Sequence, residues 1–183
     1  MTFTLAHLSD VHLGAPPSMP APERNLKRMF GWINWARRRR FMHLPSVADR
    51  ILSDLAGQRA DHIAFTGDYA NMGLASELDD GARWITGLGP PERVSVIPGN
   101  HDLYSRRGLG PDLGLRDWMP YMRGDGAAGP PPALPHEPFP YVRRLGPVTV
   151  IGLNSAVPTP PFLAIGRLGP GQLARLERVL GEL

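Results

Sequence analysis

Three short clusters of oxygen and nitrogen donors punctuate the sequence: Asp10-Val11-His12, Gly67-Asp68 and Gly99-Asn100-His101-Asp102. In extended backbone, residues two apart point to the same side, so Asp10 and His12 can converge on one point. Carboxylate, amide oxygen and imidazole without thiolate suit divalent ions such as Mn²⁺, Fe²⁺ or Zn²⁺. The chain has no cysteine, which excludes disulfides and thiolate sites. Asp10 and Asp68 brought together without a cation would repel and shift in pKa, and a metal pair removes that problem. Two ions about 3.5–4 Å apart can clamp the attacking and leaving oxygens of a phosphoryl transfer and acidify a bound water. Taken alone, Asp10-Val11-His12 also reads as a capping aspartate beside a surface histidine. Three clusters in one repeated setting are harder to read that way.

That setting is a strand followed by a polar loop. Apolar runs at Phe3–Leu8, Asp61–Thr66 and Val94–Ile97 each stop just before one cluster. Between them, helical spacing predicts helices over Glu23–Arg40, with Leu26, Met29, Phe30 and Ile33, and from Pro45, with Val47, Ile51, Leu52 and Leu55 on its buried side. Another is predicted over Ala75–Leu88. The alternation indicates an α/β fold, in which functional loops gather at the carboxyl ends of the strands. Beyond Pro111 the pattern loosens, with a helical piece around Leu115–Met122 and a long loop over Gly124–Pro140. A hairpin turning at Gly146-Pro147 is expected next. A last helix opens at Pro170, with Leu173, Leu176, Val179 and Leu180 on one face.

The succession Leu8-Ser9-Asp10-Val11-His12, Thr66-Gly67-Asp68-Tyr69-Ala70-Asn71 and Pro98-Gly99-Asn100-His101-Asp102 resembles the calcineurin-like metallophosphoesterase superfamily. The Gly-Asp-x-x-Asn form of the second motif is similar to the bacterial branch that contains cyclic-nucleotide phosphodiesterases. The resemblance implies one domain over residues 1–183, with a β-sandwich flanked by helices in α-β-β-α layers. It also implies a phosphodiesterase-type hydrolase with two divalent ions (Mn, Fe or Zn) and a metal-bound hydroxide. Asp10 and His12 would bind the first ion, Asp68 would bridge the pair and Asn100 would bind the second. His101 would contact the phosphate and protonate the leaving oxygen, with Asn71 and Asp102 orienting His101 or the substrate. The family pattern continues with a lone His and Gly-His-x-His. After His101 this sequence has only His136, so a domain truncated at its C-terminus and a weak second metal site are expected. A catalytically incompetent fragment acting as a binding or assembly module is therefore the alternative function.

At 183 residues, 42% apolar and 20% charged, the composition is that of an ordinary folded domain. The net charge of +3 gives no strong nucleic-acid signal, and nothing in the sequence sets an oligomeric state. No secretory leader or stretch of about 18 apolar residues is present, so a cytoplasmic protein is expected. Residues 26–42 combine Phe30, Trp32, Ile33, Trp35 and Phe41 with Lys27, Arg28 and Arg37–Arg40. Such a composition fits peripheral contact with the inner membrane face, or a cover over a phosphoester or nucleotide substrate. The plainer reading is a cap helix with a solvated basic end.

Overall fold

Three of the apolar runs form parallel strands, β1 (Leu5–Leu8), β2 (His62–Phe65) and β3 (Val94–Val96), in the order β1-β2-β3. Their register sets Leu8 opposite Phe65 and Phe65 opposite Val96, so all three carboxyl ends lie along one edge. The computed structural model describes residues 2–13, 19–104, 115–126 and 139–183. His136 and most of the predicted Gly124–Pro140 loop lie outside them.

The crossovers are helical, as parallel pairing requires. The first contains α1 (Leu26–Arg37), a 3-10 turn at Arg39–Phe41 and α2 (Pro45–Gln58); the second is α3 (Ala75–Leu88). The expected Glu23–Arg40 helix is shorter at both ends. Asn25 caps it by accepting from the Arg28 N–H at 2.9 Å, and Arg38 leaves the helical region at φ −137°. In α2 the inward stripe is Ala48, Leu52 and Leu55, while Val47 and Ile51 are exposed. Periodicity found that helix and the inward Leu52 and Leu55, but Ala48 stands inward where Val47 and Ile51 were expected.

The core lies between β2, β3, α3 and a 3-10 helix at Arg116–Met122, and is filled by Phe65, Ile85, Val94, Val96, Trp118 and Met122. The Trp118 indole N–H donates to the Leu78 carbonyl at 2.9 Å, which fixes a large buried ring without stranding its polar atom. A hairpin of β4 (Tyr141–Leu145) and β5 (Val148–Gly152) turns at Gly146, where φ is 63°. Buried Arg143 staples it to the rest: its guanidinium donates to the carbonyls of Arg123 at 2.7 Å, Val94 at 2.8 Å and Tyr121 at 3.2 Å. The Tyr141 hydroxyl adds a bond to the Val96 carbonyl at 2.9 Å. The result is a mixed α/β fold, with a parallel sheet flanked by helices. Helix α4 (Pro170–Gly181) opens at Pro170 as expected, but Leu173 and Leu180 are exposed and Gln172 is its buried residue. The Gln172 amide pairs with the Asn154 backbone N–H and carbonyl, each at 2.9 Å.

His62 on β2 is fully buried against the Ser95 hydroxyl at 2.8 Å, and burial lowers its pKa to about 4, with Arg143 and Arg93 pushing the same way. The fold therefore takes the neutral ring, while the unfolded chain binds a proton near pH 6.5. Above that pH the contribution is intact; below it, stability falls as the pH falls toward 4. The loss from this one group reaches roughly 3 kcal/mol. Urea titrations of the wild type and His62→Asn from pH 7 to 4 should show a shallower pH dependence in the variant, by up to about 1.4 kcal/mol per pH unit. Parallel curves would show that His62 does not titrate on unfolding.

Candidate metal centre

Past the strand ends the loops stay laterally tied. The Asp10 N–H donates to the Gly67 carbonyl and the His12 N–H to the Asp68 carbonyl, both at 3.0 Å. Among the described residues, five non-glycine positions have positive φ, and Asp10 (57°), His12 (43°) and Asp68 (59°) are three of them. Left-handed backbone is unfavourable for side chains with a Cβ and persists where the surroundings enforce it, commonly at functional sites. Gly67 and Gly99 make the enforcement possible. A Cβ on Gly67 would strike the Gly99 backbone, and one on Gly99 would collide with the Asp68 carboxylate.

The tightest set of ionisable donors is His12, Asp68 and His101, whose ligand atoms all lie within 4.8 Å of one another. Backbone carbonyls select the tautomer of each imidazole. His12 Nδ1–H donates to Ala70 O at 2.9 Å and His101 Nδ1–H to Asn71 O at 2.7 Å, leaving both Nε2 atoms as acceptors. This is the arrangement that orients histidine as a metal ligand. Burial lowers the pKa of His12 and of His101 to about 4, and in each case the Asn71–Ala70 carbonyl partner opposes the shift without reversing it. Both rings are therefore neutral near pH 7. The Asp68 carboxyl moves the other way, raised first by burial and also by Asp10, against the His101 N–H that donates to its Oδ1 at 2.8 Å. Asp10 is exposed and reaches His12 Nε2 at 3.9 Å, outside the tight set. Asn100 lines the adjoining cavity together with His101 and Asn71.

The two orienting residues have distinct places. Asn71 holds His101 through its carbonyl and the His12 carbonyl through its own amide at 3.3 Å. Asp102 is buried beneath the site, where its carboxylate accepts from the N–H groups of Asp68 (2.7 Å), Ala70 (2.9 Å) and Gly99 (2.9 Å). It ties the second and third motif loops together and does not line the cavity.

Three residues join the site that motif reading did not place there. Arg39 brings a guanidinium nitrogen to 3.3 Å from His101 Nε2, His43 sets its ring 4.7 Å from that of His12, and Tyr104 stacks on His101 at 5.4 Å. For Arg39 the only sequence signal was the arginine run, which composition reads either as a cover over a phosphoester substrate or as a solvated end. A cavity of about 400 Å³ opens beside these groups, walled by α1 on one side and residues 159–164 on another.

Two neutral imidazoles with fixed tautomers beside a strained carboxylate, on an α/β fold, form a donor set able to hold a borderline or hard divalent ion. The model of the calcineurin-like phosphoesterase family matches residues 3–163, and the chain belongs to that family. Metal-dependent phosphoester hydrolysis is the chemistry of the family, and it acts on phosphoester small molecules. No curated protein matches the chain significantly.

Proposed function

We propose that the protein is a cytoplasmic phosphodiesterase of the bacterial branch, with a dinuclear centre of Mn²⁺, Fe²⁺ or Zn²⁺. The observation that supports this reading is the set of His12, Asp68 and His101 donor atoms, which lie within 4.8 Å of one another past three strand ends. Asp10 and His12 would hold one ion, Asn100 the other, and Asp68 both. Bound there, divalent ions would supply Lewis-acid polarisation of the phosphoryl oxygens and an acidified water. The protein's own groups do the rest. His101, its Nδ1–H anchored on Asn71 O, presents Nε2 toward the leaving oxygen, and a bound phosphoryl anion would offset the burial and Arg39 charge that keep it neutral. Arg39 stands where its guanidinium can exchange its contact with His101 for a phosphoryl oxygen.

With Mn²⁺, bis(4-nitrophenyl) phosphate should be hydrolysed faster than 4-nitrophenyl phosphate, and Arg39→Ala should lower kcat/KM for the diester about a hundredfold. Preference for the monoester would overturn the diesterase assignment. No hydrolysis at any metal concentration would favour the alternative, a module for binding or assembly.

A further inference from the structure

Helix α1 is inside out. Its buried residue is Arg28, 4% exposed, whose guanidinium donates to the carbonyls of Met72 at 3.1 Å, Glu23 at 2.9 Å and Gly73, and pairs with the Glu23 carboxylate. Its large apolar side chains are exposed instead: Leu26 at 71%, with Met29, Phe30, Trp32 and Ile33 also exposed. A helix on a water-facing surface normally has the opposite arrangement. The exposure continues through Phe41 and Met42 in the following turn and into Val47 and Ile51 of α2. So extended an apolar surface marks an interaction site.

Charge identifies the occupant. Residues 24–44 contain no aspartate or glutamate, and Arg24, Arg37, Arg38 and Arg40 among them are exposed, in a chain whose formal charge is only +3. A second copy would bring the same cationic segment against its own kind, whereas anionic headgroups complement it. Cation and ring also sit side by side as they do at headgroup depth, with the Arg40 guanidinium 4.5 Å over the Phe41 ring. No helix among the described residues is long and apolar enough to cross a bilayer, so the contact is interfacial.

The face is continuous with the metal centre. Phe30 and Arg39 line the 400 Å³ cavity that also has Asn100 and His101 in its wall. Phe162, 91% exposed, lines the same cavity and sets its ring 5.4 Å from that of Phe30. We infer that the outer face of α1, with the turn after it and Phe162, docks on an anionic phospholipid surface and admits amphiphilic phosphoesters to the cavity from there. The substrate half rests on the phosphodiesterase reading; the docking half does not.

Flotation of the full chain with phosphatidylcholine vesicles containing about one-third phosphatidylglycerol tests the docking. Binding is expected, weakened by salt, and absent with phosphatidylcholine alone. Changing Arg37, Arg38 and Arg40 together to Gln should weaken it on the order of a hundredfold. Trp32→Ser with Phe162→Ser should weaken it at least about tenfold. All five side chains are exposed, and unchanged circular dichroism would confirm that the variants fold. Asp68→Ala should float like the wild type, so docking and catalysis fail separately. Equal binding to neutral vesicles would overturn the proposal, as would binding untouched by these variants. Self-association abolished by Trp32→Ser would also overturn it, assigning the face to a second copy. A long-chain phosphodiester presented in the anionic vesicles should be cleaved with a kcat/KM at least about tenfold above its short-chain analogue. Equal values would discard the substrate half alone.

Discussion

Asp68→Asn should lose turnover by about a thousandfold or more while the folded protein becomes more stable in metal-free buffer. The substitution is nearly isosteric and keeps an oxygen to accept the His101 N–H, now bonded at 2.8 Å. It removes the carboxylate charge and little else. That charge is unwelcome in the metal-free fold: burial raises the Asp68 pKa, and Asp10 adds to the rise. The backbone at Asp68, φ 59°, is also one that asparagine adopts readily. A stability gain of about 1 kcal/mol is the usual size when a functional strain of this kind is relieved. Thermal unfolding in EDTA should show the gain, and initial rates with Mn²⁺ should show the loss. Added Mn²⁺ should raise the Tm of the wild type by mass action and leave Asp68→Asn nearly unmoved. If the variant kept a tenth of wild-type turnover, Asp68 could not be the shared ligand of a metal pair.

The parts of this site that motif reading located are those that strand topology places automatically. His12, Asp68 and His101 each follow a parallel strand by a few residues, and parallel strands in one sheet must deliver their following loops to one edge. Helix α3 was legible to the residue because Leu78, Ala82 and Ile85 give it a single buried stripe. Helix α1 shows what periodicity omits. A stripe of Leu26, Met29, Phe30 and Ile33 fixes the period of a helix but not which side meets the protein. That side was set by the carbonyls of Met72 and Gly73, more than forty residues away, which need Arg28 as their donor. Arg39 escaped for the same reason, since its partner His101 is 62 residues distant. Asp102 was legible as part of a motif but not in its task. Its three backbone partners belong to peptides whose orientation exists only once the second and third motif loops are packed together.

That packing makes Asp102→Ala the most damaging change to the fold around the site. Its carboxylate satisfies the N–H groups of Asp68, Ala70 and Gly99, and alanine would leave the first two buried, and the third half-buried, without an acceptor. At about 1–3 kcal/mol for each of the two buried groups, a loss of roughly 2–6 kcal/mol is expected, a large share of a typical domain's stability. Asp102→Asn separates this structural loss from its effect on ligand geometry. Its remaining oxygen can serve the Asp68 and Gly99 N–H groups together, which Oδ2 now serves alone, at 2.7 and 2.9 Å. Its new NH₂ must then oppose the Ala70 N–H, so the expected cost is closer to about 2 kcal/mol. The disturbance falls on Ala70, whose carbonyl fixes the His12 tautomer through a 2.9 Å bond. His12 should therefore suffer more than Asp68, with metal affinity reduced about tenfold to a hundredfold, the usual effect of losing an outer hydrogen-bond partner. Urea midpoints for the two variants and a Mn²⁺ titration of Asp102→Asn would measure both quantities. Unaltered metal affinity in a destabilised Asp102→Asn would mean that Ala70 keeps its place without the carboxylate. The left-handed turn at Asp68, rather than Asp102, would then be what holds the His12 ring in line.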